Sequence, residues 1–199
     1  MNDKYLKELR KPKPFSGLAD TELLNQAAEI ITQLPETLEE AQFNRLLEPL
    51  SYIWGNLGTE NRTALNKMLT AHCSGLQAIF WLPKVKAIIE KQSYKKTKGG
   101  HGHVYFILLD RTQFKTTSTN CGIYIGQSKY TPDRRFKNHL SGRHASRVVR
   151  DYGKFVLQSL SYNFVPISRK ESIRLEAHLL KELREANFTN LPAKIIKGS

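Results

Sequence analysis

Two side chains in the second half of this 199-residue chain, Arg135 and His139, have the types and the spacing to act on a phosphate. They stand four positions apart in a segment that opens with Pro132-Asp133 and is predicted to be a short helix. Residues four apart lie on one face of a helix. A guanidinium and an imidazole on that face can therefore converge on one phosphate, where the cation stabilises negative charge.

A carboxylate is predicted to face inward on a later helix. Over residues 169–185 the apolar side chains are expected to form one arc, and Glu176 falls on that arc. Burying a carboxylate costs free energy unless it is paired or holds a metal ion. Glu176 is therefore either the partner of an arginine or a metal ligand. The members of the predicted arc are Ile173, Ala177, Leu179, Leu180 and Leu183.

Tyr105 and Tyr124 lie in two segments that are predicted to be strands. Tyrosine is common in strands as a packing residue, so packing alone can account for both. If the strands pair as a hairpin, the two hydroxyls can also reach one site. A tyrosine with its ordinary pKa near 10 is a poor base at neutral pH, so a base at this site needs cations beside it.

The elements that position these side chains predict an α+β fold. β-Branched and aromatic runs indicate strands, and two of them are expected to form a hairpin. The order is β-β-α-α-β-α, built on a three-stranded antiparallel sheet. The predicted segments are strands at 103–109, 121–126 and 155–164, and helices from Pro132, over about 144–152, and from a Ser168 cap to about Ala186.

Composition divides the chain into four parts. They are a basic N-terminal arm at 1–15, a helical domain at 16–95, a polar linker at 96–102 and a second domain at 103–199. Apolar side chains at helical spacing predict that the helical domain is an N-terminal bundle. Its helices are expected over 20–33, from Pro35, from Thr59 and over 84–94.

Positive charge is concentrated in the second half. Residues 96–199 hold 19 Lys and Arg against 7 Asp and Glu, whereas residues 1–95 hold 12 against 11. With a pI near 9.8, this balance favours a polyanionic partner. Residues 16–62 hold two arginines against eight acids, so nucleic acid would repel them. That segment is expected to form a homodimer or to bind a protein partner.

Several features favour a protein of the cytoplasm that does not enter a membrane. No apolar run reaches the ~18 residues that a membrane span needs. The N-terminus lacks the apolar stretch of a signal peptide. The two cysteines are too few for a disulfide scaffold. A cytoplasmic or nucleoid-associated location is therefore expected.

The ordered set of residues resembles the GIY-YIG nuclease superfamily over about residues 103–190. That family has a strand reading Gly-Ile-Tyr, a strand reading Tyr-Ile-Gly, a helix with Arg and His four apart, and a later helix with Glu. The matching residues are His103-Val104-Tyr105, Tyr124-Ile125-Gly126, Arg135, His139 and Glu176.

Two departures from the family pattern stand out. His103-Val104 replaces Gly-Ile, although the tyrosine that follows is kept. The loop after Gly126 is also one residue longer than usual. That extra residue leaves the catalytic arginine open between Arg134 and Arg135. Arg135 is preferred because it stands four residues before a histidine, as in the family motif.

The resemblance implies a function in DNA cleavage. The protein would be a divalent-metal-dependent endonuclease that hydrolyses phosphodiester bonds, with Mg²⁺ as the ion and Mn²⁺ as a substitute. Glu176 would be its one protein carboxylate ligand. A restriction or mobile-element nuclease is the preferred interpretation. The alternatives are a structure-specific repair or recombination nuclease and a catalytically inert DNA-binding module.

The resemblance also implies a role for each matching residue. Arg135 would stabilise the charge of the pentavalent transition state. His139 and the two tyrosines would handle the attacking water and its proton, and which tyrosine is the base stays open. Asn190, in preference to Asn187, would contact the phosphate or support the site. The implied catalytic set is Tyr105, Tyr124, Arg135, His139, Glu176 and Asn190.

Basic side chains near this set are expected to follow the DNA backbone. Three arginines recur at helical spacing over 143–150, which favours one exposed basic face, although a solvated face is the alternative. A zinc site formed by His101, His103, Cys121 and His139 is disfavoured, because the spacing matches no structural zinc pattern. The expected DNA contacts are Lys129, Arg134, Arg143, His144, Arg147, Arg150 and Lys154.

Overall fold

A computed structural model describes most of the chain in two compact units, residues 1–86 (unit 1) and 87–199 (unit 2). Nine helices and four strands lie in the described residues, which confirms the α+β class. No helix among them combines the length and hydropathy of a membrane span. The described residues are 3–32, 40–72, 81–110, 121–142, 144–164, 167–186 and 193–197.

The regular elements among the described residues of unit 1 are all helices. Helix α2 packs against α3 and α4, as its buried apolar stripe requires. Residues 33–39 and 73–80 lie outside the described part, so the expected helix start at Pro35 does too. The helices are α1 (Asp3–Leu9), α2 (Asp20–Thr32), α3 (Glu40–Asn56), α4 (Thr59–His72) and α5 (Leu82–Glu90), the last of which crosses into unit 2.

Residues 3–15, the described part of the predicted basic arm, fold as part of unit 1. They contain α1, and Tyr5, Leu9 and Phe15 are each at most 2% exposed. The lysines of the segment point to the surface. Three apolar side chains therefore anchor the segment within unit 1, and its positive charge lies on the outer side.

Unit 2 contains a four-stranded mixed sheet. Its strands are β1 (His103–Asp110), β2 (Cys121–Ser128), β3 (Gly153–Val156) and β4 (Ala193–Lys197), in the order β3-β1-β2-β4. Strand β1 pairs antiparallel with β2 and β3, which gives the three antiparallel strands that were predicted. Strand β4 pairs parallel with β2 and was not predicted.

The predicted third strand at 155–164 is wrong over most of its length. Strand β3 ends at Val156, and residues Gln158–Ser161 form the short helix α8. The Ser161 hydroxyl accepts a hydrogen bond from the Phe106 backbone N–H at 2.9 Å. Through this contact α8, which follows β3, packs against β1 as a helical turn and does not continue as a strand.

The remaining helices of unit 2 follow the predicted order. They are α6 (Pro132–Leu140), α7 (Arg147–Tyr152) and α9 (Arg169–Glu185). Helix α7 begins three residues later than predicted. The Ser168 hydroxyl caps α9 by accepting from the Glu171 N–H at 3.1 Å. Helix α9 packs against β1, β2 and β4.

One face of the sheet carries the two strand tyrosines. In the β1–β2 register Tyr105 lies opposite Gly126, and Ile107 lies opposite Tyr124, so both tyrosines project to one side. They join a buried cluster that also contains Val149 from α7, with Phe136 from α6 packed against it. Helices α6 and α7 therefore cover the face on which the tyrosines lie.

Candidate active site

A hydrogen bond joins two residues that are distant in sequence, Tyr105 on β1 and His139 in the last turn of α6. The Tyr105 hydroxyl lies 3.0 Å from His139 Nε2. On the other side of the ring, the Ser146 N–H donates to His139 Nδ1 at 2.9 Å. Because Nδ1 accepts, the neutral ring carries its proton on Nε2 and donates it to the Tyr105 oxygen.

His139 is held in its neutral form. Its side chain is fully buried. Burial, together with the nearby charge of Arg135, lowers its pKa from 6.5 to about 4. At neutral pH the imidazole is therefore a single hydrogen-bond donor, aimed at Tyr105.

Tyr105 is a protonated phenol near neutral pH. Burial raises its pKa above the ordinary value near 10, and the neighbouring Tyr124 raises it further. The Arg135 guanidinium beside it acts in the opposite direction, by hydrogen bonding and by charge. Tyr105 therefore has two neighbours, Arg135 and His139, that favour its phenolate form against the effect of burial.

Tyr124 lies next to this pair. Its ring centroid is 6.1 Å from that of Tyr105 and 5.8 Å from that of His139. Within the described residues its buried hydroxyl makes no hydrogen bond. An unsatisfied buried hydroxyl costs free energy, and a catalytic role is one explanation for such a group.

Gly126 makes room for the Tyr105 side chain. A Cβ atom at this position would overlap the Tyr105 hydroxyl and ring. Position 126, the last residue of Tyr124-Ile125-Gly126, therefore requires a glycine for steric reasons, because the Tyr105 ring lies across it. A larger residue would displace the phenol from His139.

The structure separates the two candidate arginines. Arg135 is half-buried, lies beside Tyr105 and donates from Nη2 to the His144 carbonyl at 3.0 Å. Arg134 is exposed, and its guanidinium lies 4.7 Å from the centre of the Tyr130 ring. The helix therefore directs Arg135, and not Arg134, toward the tyrosines.

A cleft of about 730 Å³ opens beside Arg135 within unit 2. Four basic side chains line it, and the described lining residues include no acid. A concave cationic surface suits a ligand with phosphate groups. The lining residues are Thr97, Gly100, His101, Gly102, Gln127, Ser128, Lys129, Tyr130, Arg135, Ser168 and Arg169.

The predicted linker, residues 96–102, forms one wall of this cleft. Lys96 and Gly102 each make an antiparallel bridge with Ile167, and the Gly102 N–H donates to the Ile167 carbonyl at 2.8 Å. The segment is therefore packed against the residues that precede α9. The composition indicated a linker because glycines are as typical of a flexible linker as of a segment that packs closely against another part of the backbone.

Glu176 is buried on α9, as its helical position predicts. Its side chain is 7% exposed and lies among buried leucines of the same helix. The predicted arc was wrong in two members, because Ile173 is 48% exposed and Ala177 is also exposed. The buried residues of α9 are Ser172, Leu175, Glu176, Leu179, Leu180 and Leu183.

Several of the expected DNA contacts are already in ion pairs. Arg147 and Arg150 both pair with Asp151, at 3.4 and 2.9 Å. Lys154 pairs with Asp110 at 3.2 Å. His144 is exposed, with its backbone in the left-handed region at φ 45°. Of the predicted site residues, Arg143, Asn187 and Asn190 lie outside the described residues.

No protein-family model, curated protein or solved structure matches this chain. The site is therefore interpreted from its own geometry. That geometry brings together Tyr105, Tyr124, Arg135 and His139 beside a cationic cleft.

Sequence reasoning missed three participants. Ser146 acts through its backbone N–H, which no side-chain pattern can indicate. His101 and Arg169 line the cleft although they are far apart in sequence. The run Gly100-His101-Gly102 was the available signal, because glycines beside a strand often mark close backbone approach.

Proposed function

We propose that unit 2 is a divalent-metal-dependent DNA endonuclease of the GIY-YIG type, which hydrolyses phosphodiester bonds. One observation carries the proposal: Arg135 lies between the buried Tyr105–His139 pair and a cationic cleft. The cleft offers phosphate binding, and the pair offers proton transfer. Neither feature alone would favour a nuclease.

Arg135 is the member of the group that a phosphate in the cleft would meet first, because it lines the cleft. A fixed cation stabilises the charge that gathers on the phosphoryl oxygens in the transition state. The hydrogen bond to the His144 carbonyl fixes the guanidinium before substrate arrives. Positioning of this kind reduces the reorganisation that the reaction requires.

Tyr105 is the tyrosine that the contacts favour as the base. His139 Nε2 donates to its oxygen, and the charge of Arg135 lies beside it. Both contacts favour the phenolate relative to the phenol. Tyr105 would first release its own proton to solvent, because the phenolate is the form that can accept a proton from an attacking water. Tyr124 lacks such contacts within the described residues. We assign it a supporting role in shaping the site.

Glu176 fits the single protein ligand of a Mg²⁺ ion. Mg²⁺ prefers oxygen ligands, keeps several waters and often uses one or two carboxylates together with substrate phosphates. Glu176 is a carboxylate that is buried on α9. When bound, the ion would neutralise phosphate charge and stabilise the leaving oxygen. Mn²⁺ is expected to replace it.

The wider role that we propose is that of a restriction or mobile-element nuclease in the cytoplasm or on the nucleoid. Unit 1 would be a helical bundle that forms a homodimer or holds a protein partner. One active site cuts one strand, so a double-strand cutter needs two copies or two visits. The segment of residues 16–62 has a net negative charge, so it suits contact with a protein better than contact with DNA.

Digestion of DNA tests the proposed function. Supercoiled plasmid and forked oligonucleotides are incubated with the full chain in Mg²⁺, in Mn²⁺ and with EDTA. Cutting of plasmid at fixed positions is expected, and EDTA should abolish it. Preference for forks would favour the repair nuclease. DNA binding without cutting in either metal would refute catalysis and favour the inert module.

A further inference from the structure

We propose that His101 and Arg169 bind the phosphodiester backbone next to the phosphate that Arg135 contacts. Residues 97–102 would then be part of the substrate site. The choice of DNA as the ligand rests on the function proposed above. The assignment of these two residues rests on the cleft itself.

The side chains of His101 and Arg169 can offer a positive charge or a hydrogen-bond donor to a ligand. Both line the cleft and are exposed. Within the described residues neither side chain has an ion-pair or hydrogen-bond partner. Arg147 and Arg150 on α7, by contrast, share the Asp151 carboxylate. A phosphate would therefore gain more from the cleft than from the α7 surface, where a carboxylate already competes.

The cleft wall is held by close contact between two backbones. A Cβ atom at Gly100 would overlap the Ile167 carbonyl, and one at Gly102 would overlap the Ser168 carbonyl. The Gly100 N–H also closes a turn onto the Thr97 carbonyl at 2.8 Å. These contacts fix His101 at the rim, beside the first turn of α9. Because the backbone is already fixed, only the His101 side chain has to be ordered when a ligand binds.

The remaining basic residues of the cleft complete the surface. Arg169 begins α9, Arg135 comes from α6, and Lys129 follows β2. Three separate elements thus direct positive charge into one cavity that lacks acidic residues in its described lining. The arrangement suits a polyanion longer than one phosphate, since the charges enter from different sides.

Salt dependence of DNA binding tests the inference without cleavage. The probe is a fluorescein-labelled duplex of about 20 base pairs, about two helical turns. Its affinity for the full chain is measured by anisotropy in EDTA over a series of salt concentrations. Each lost phosphate contact lowers the slope of log K against log [salt] by about 0.9. At about 0.1 M salt this corresponds to a roughly eightfold loss of affinity.

Arg169→Gln is expected to show that loss of slope and affinity. The matched control is Arg184→Gln, which removes the same charge from the last turn of α9, about 22 Å along the helix. The control should keep the slope of the unmodified chain. His101→Gln should weaken binding roughly two- to tenfold, the worth of one hydrogen bond.

The outcomes separate this inference from the proposed function. Equal slopes for Arg169→Gln and Arg184→Gln would overturn the inference, while cleavage by the unmodified chain would still support the nuclease. A lower slope for Arg169→Gln in a chain that does not cut would keep the binding site and refute catalysis. If the unmodified chain binds no duplex, both proposals are refuted.

Discussion

Acid should weaken unit 2 because His139 is buried in its neutral form. Its pKa is about 4 in the folded protein and near 6.5 when exposed. Between these values the unfolded chain binds more protons, so the free energy of unfolding rises with pH. Each pKa unit is worth about 1.4 kcal/mol, so His139 contributes about 3 kcal/mol above pH ~6.5 that is lost toward pH ~4.

Protonation of His139 would break one hydrogen bond of its ring. A charged imidazole carries protons on both ring nitrogens, so Nδ1 can no longer accept from the Ser146 N–H. That bond connects the end of α6 to the start of α7. Both helices cover the face of the sheet that holds Tyr105. Acid should therefore loosen this cover first.

Hydrogen exchange of peptides from β1 and β2 measures the effect in unit 2 alone. The full chain, His139→Gln and the exposed control His144→Gln are compared at about pH 4.5 and about pH 7. Protection of the unmodified chain and of His144→Gln should fall by similar amounts on acidification. His139→Gln should be less protected at pH 7 and should change less with pH. His103, whose pKa burial also lowers, contributes equally in all three and cancels.

Two results would refute this reasoning. Equal pH dependence in the unmodified chain and in His139→Gln would show that another group is responsible. If the variant does not fold, titration of the His139 ring proton by NMR replaces it. A midpoint near 6.5 in the folded chain would then contradict burial of the neutral imidazole.

Arg135→Ala should abolish cleavage of plasmid in Mg²⁺ while most DNA affinity remains, whereas Arg134→Ala should still cut; the reverse result would mean that the catalytic arginine is Arg134. Glu176→Gln should lose Mg²⁺-dependent cleavage, measured on the same plasmid, and keep its circular dichroism spectrum; full activity would refute its role as metal ligand. Tyr124→Phe removes a buried hydroxyl without a partner in the described residues, so urea unfolding should show a gain of about 1 kcal/mol. A loss of stability would show that the Tyr124 hydroxyl makes a stabilising hydrogen bond, which would contradict this prediction.

The regular elements of unit 2 were predictable where the local pattern is strong. Strands β1 and β2 follow from their β-branched and aromatic runs, and α9 follows from its cap at Ser168. Residues 157–161 were assigned to a strand, because a short buried segment has the same apolar pattern as strand or helix. Strand β4 has five residues, and its pairing with β2 depends on tertiary contact.

The candidate site was predictable only in part. The spacing of Arg135 and His139 placed both on one helical face, and local geometry is enough for that inference. The Tyr105–His139 hydrogen bond spans 34 residues and requires α6 to dock on the sheet. The cleft needs residues 97–102 to meet Ile167 across the unit. Such contacts depend on the folded arrangement and leave little trace in short patterns.

The position of β4 at one edge of the sheet affects how the protein can associate with itself. Strand β4 covers the outer backbone groups of β2, including those around Tyr124, which pairs with Ile196. An uncovered β2 would present a flat apolar ladder to which another copy could add a strand. At the opposite edge, β3 has four residues and includes Lys154. A short strand and a lysine both discourage edge pairing. Strand β4 is then the edge strand on that side and has only five residues, so both edges of the sheet are short, which disfavours pairing with a strand of another copy.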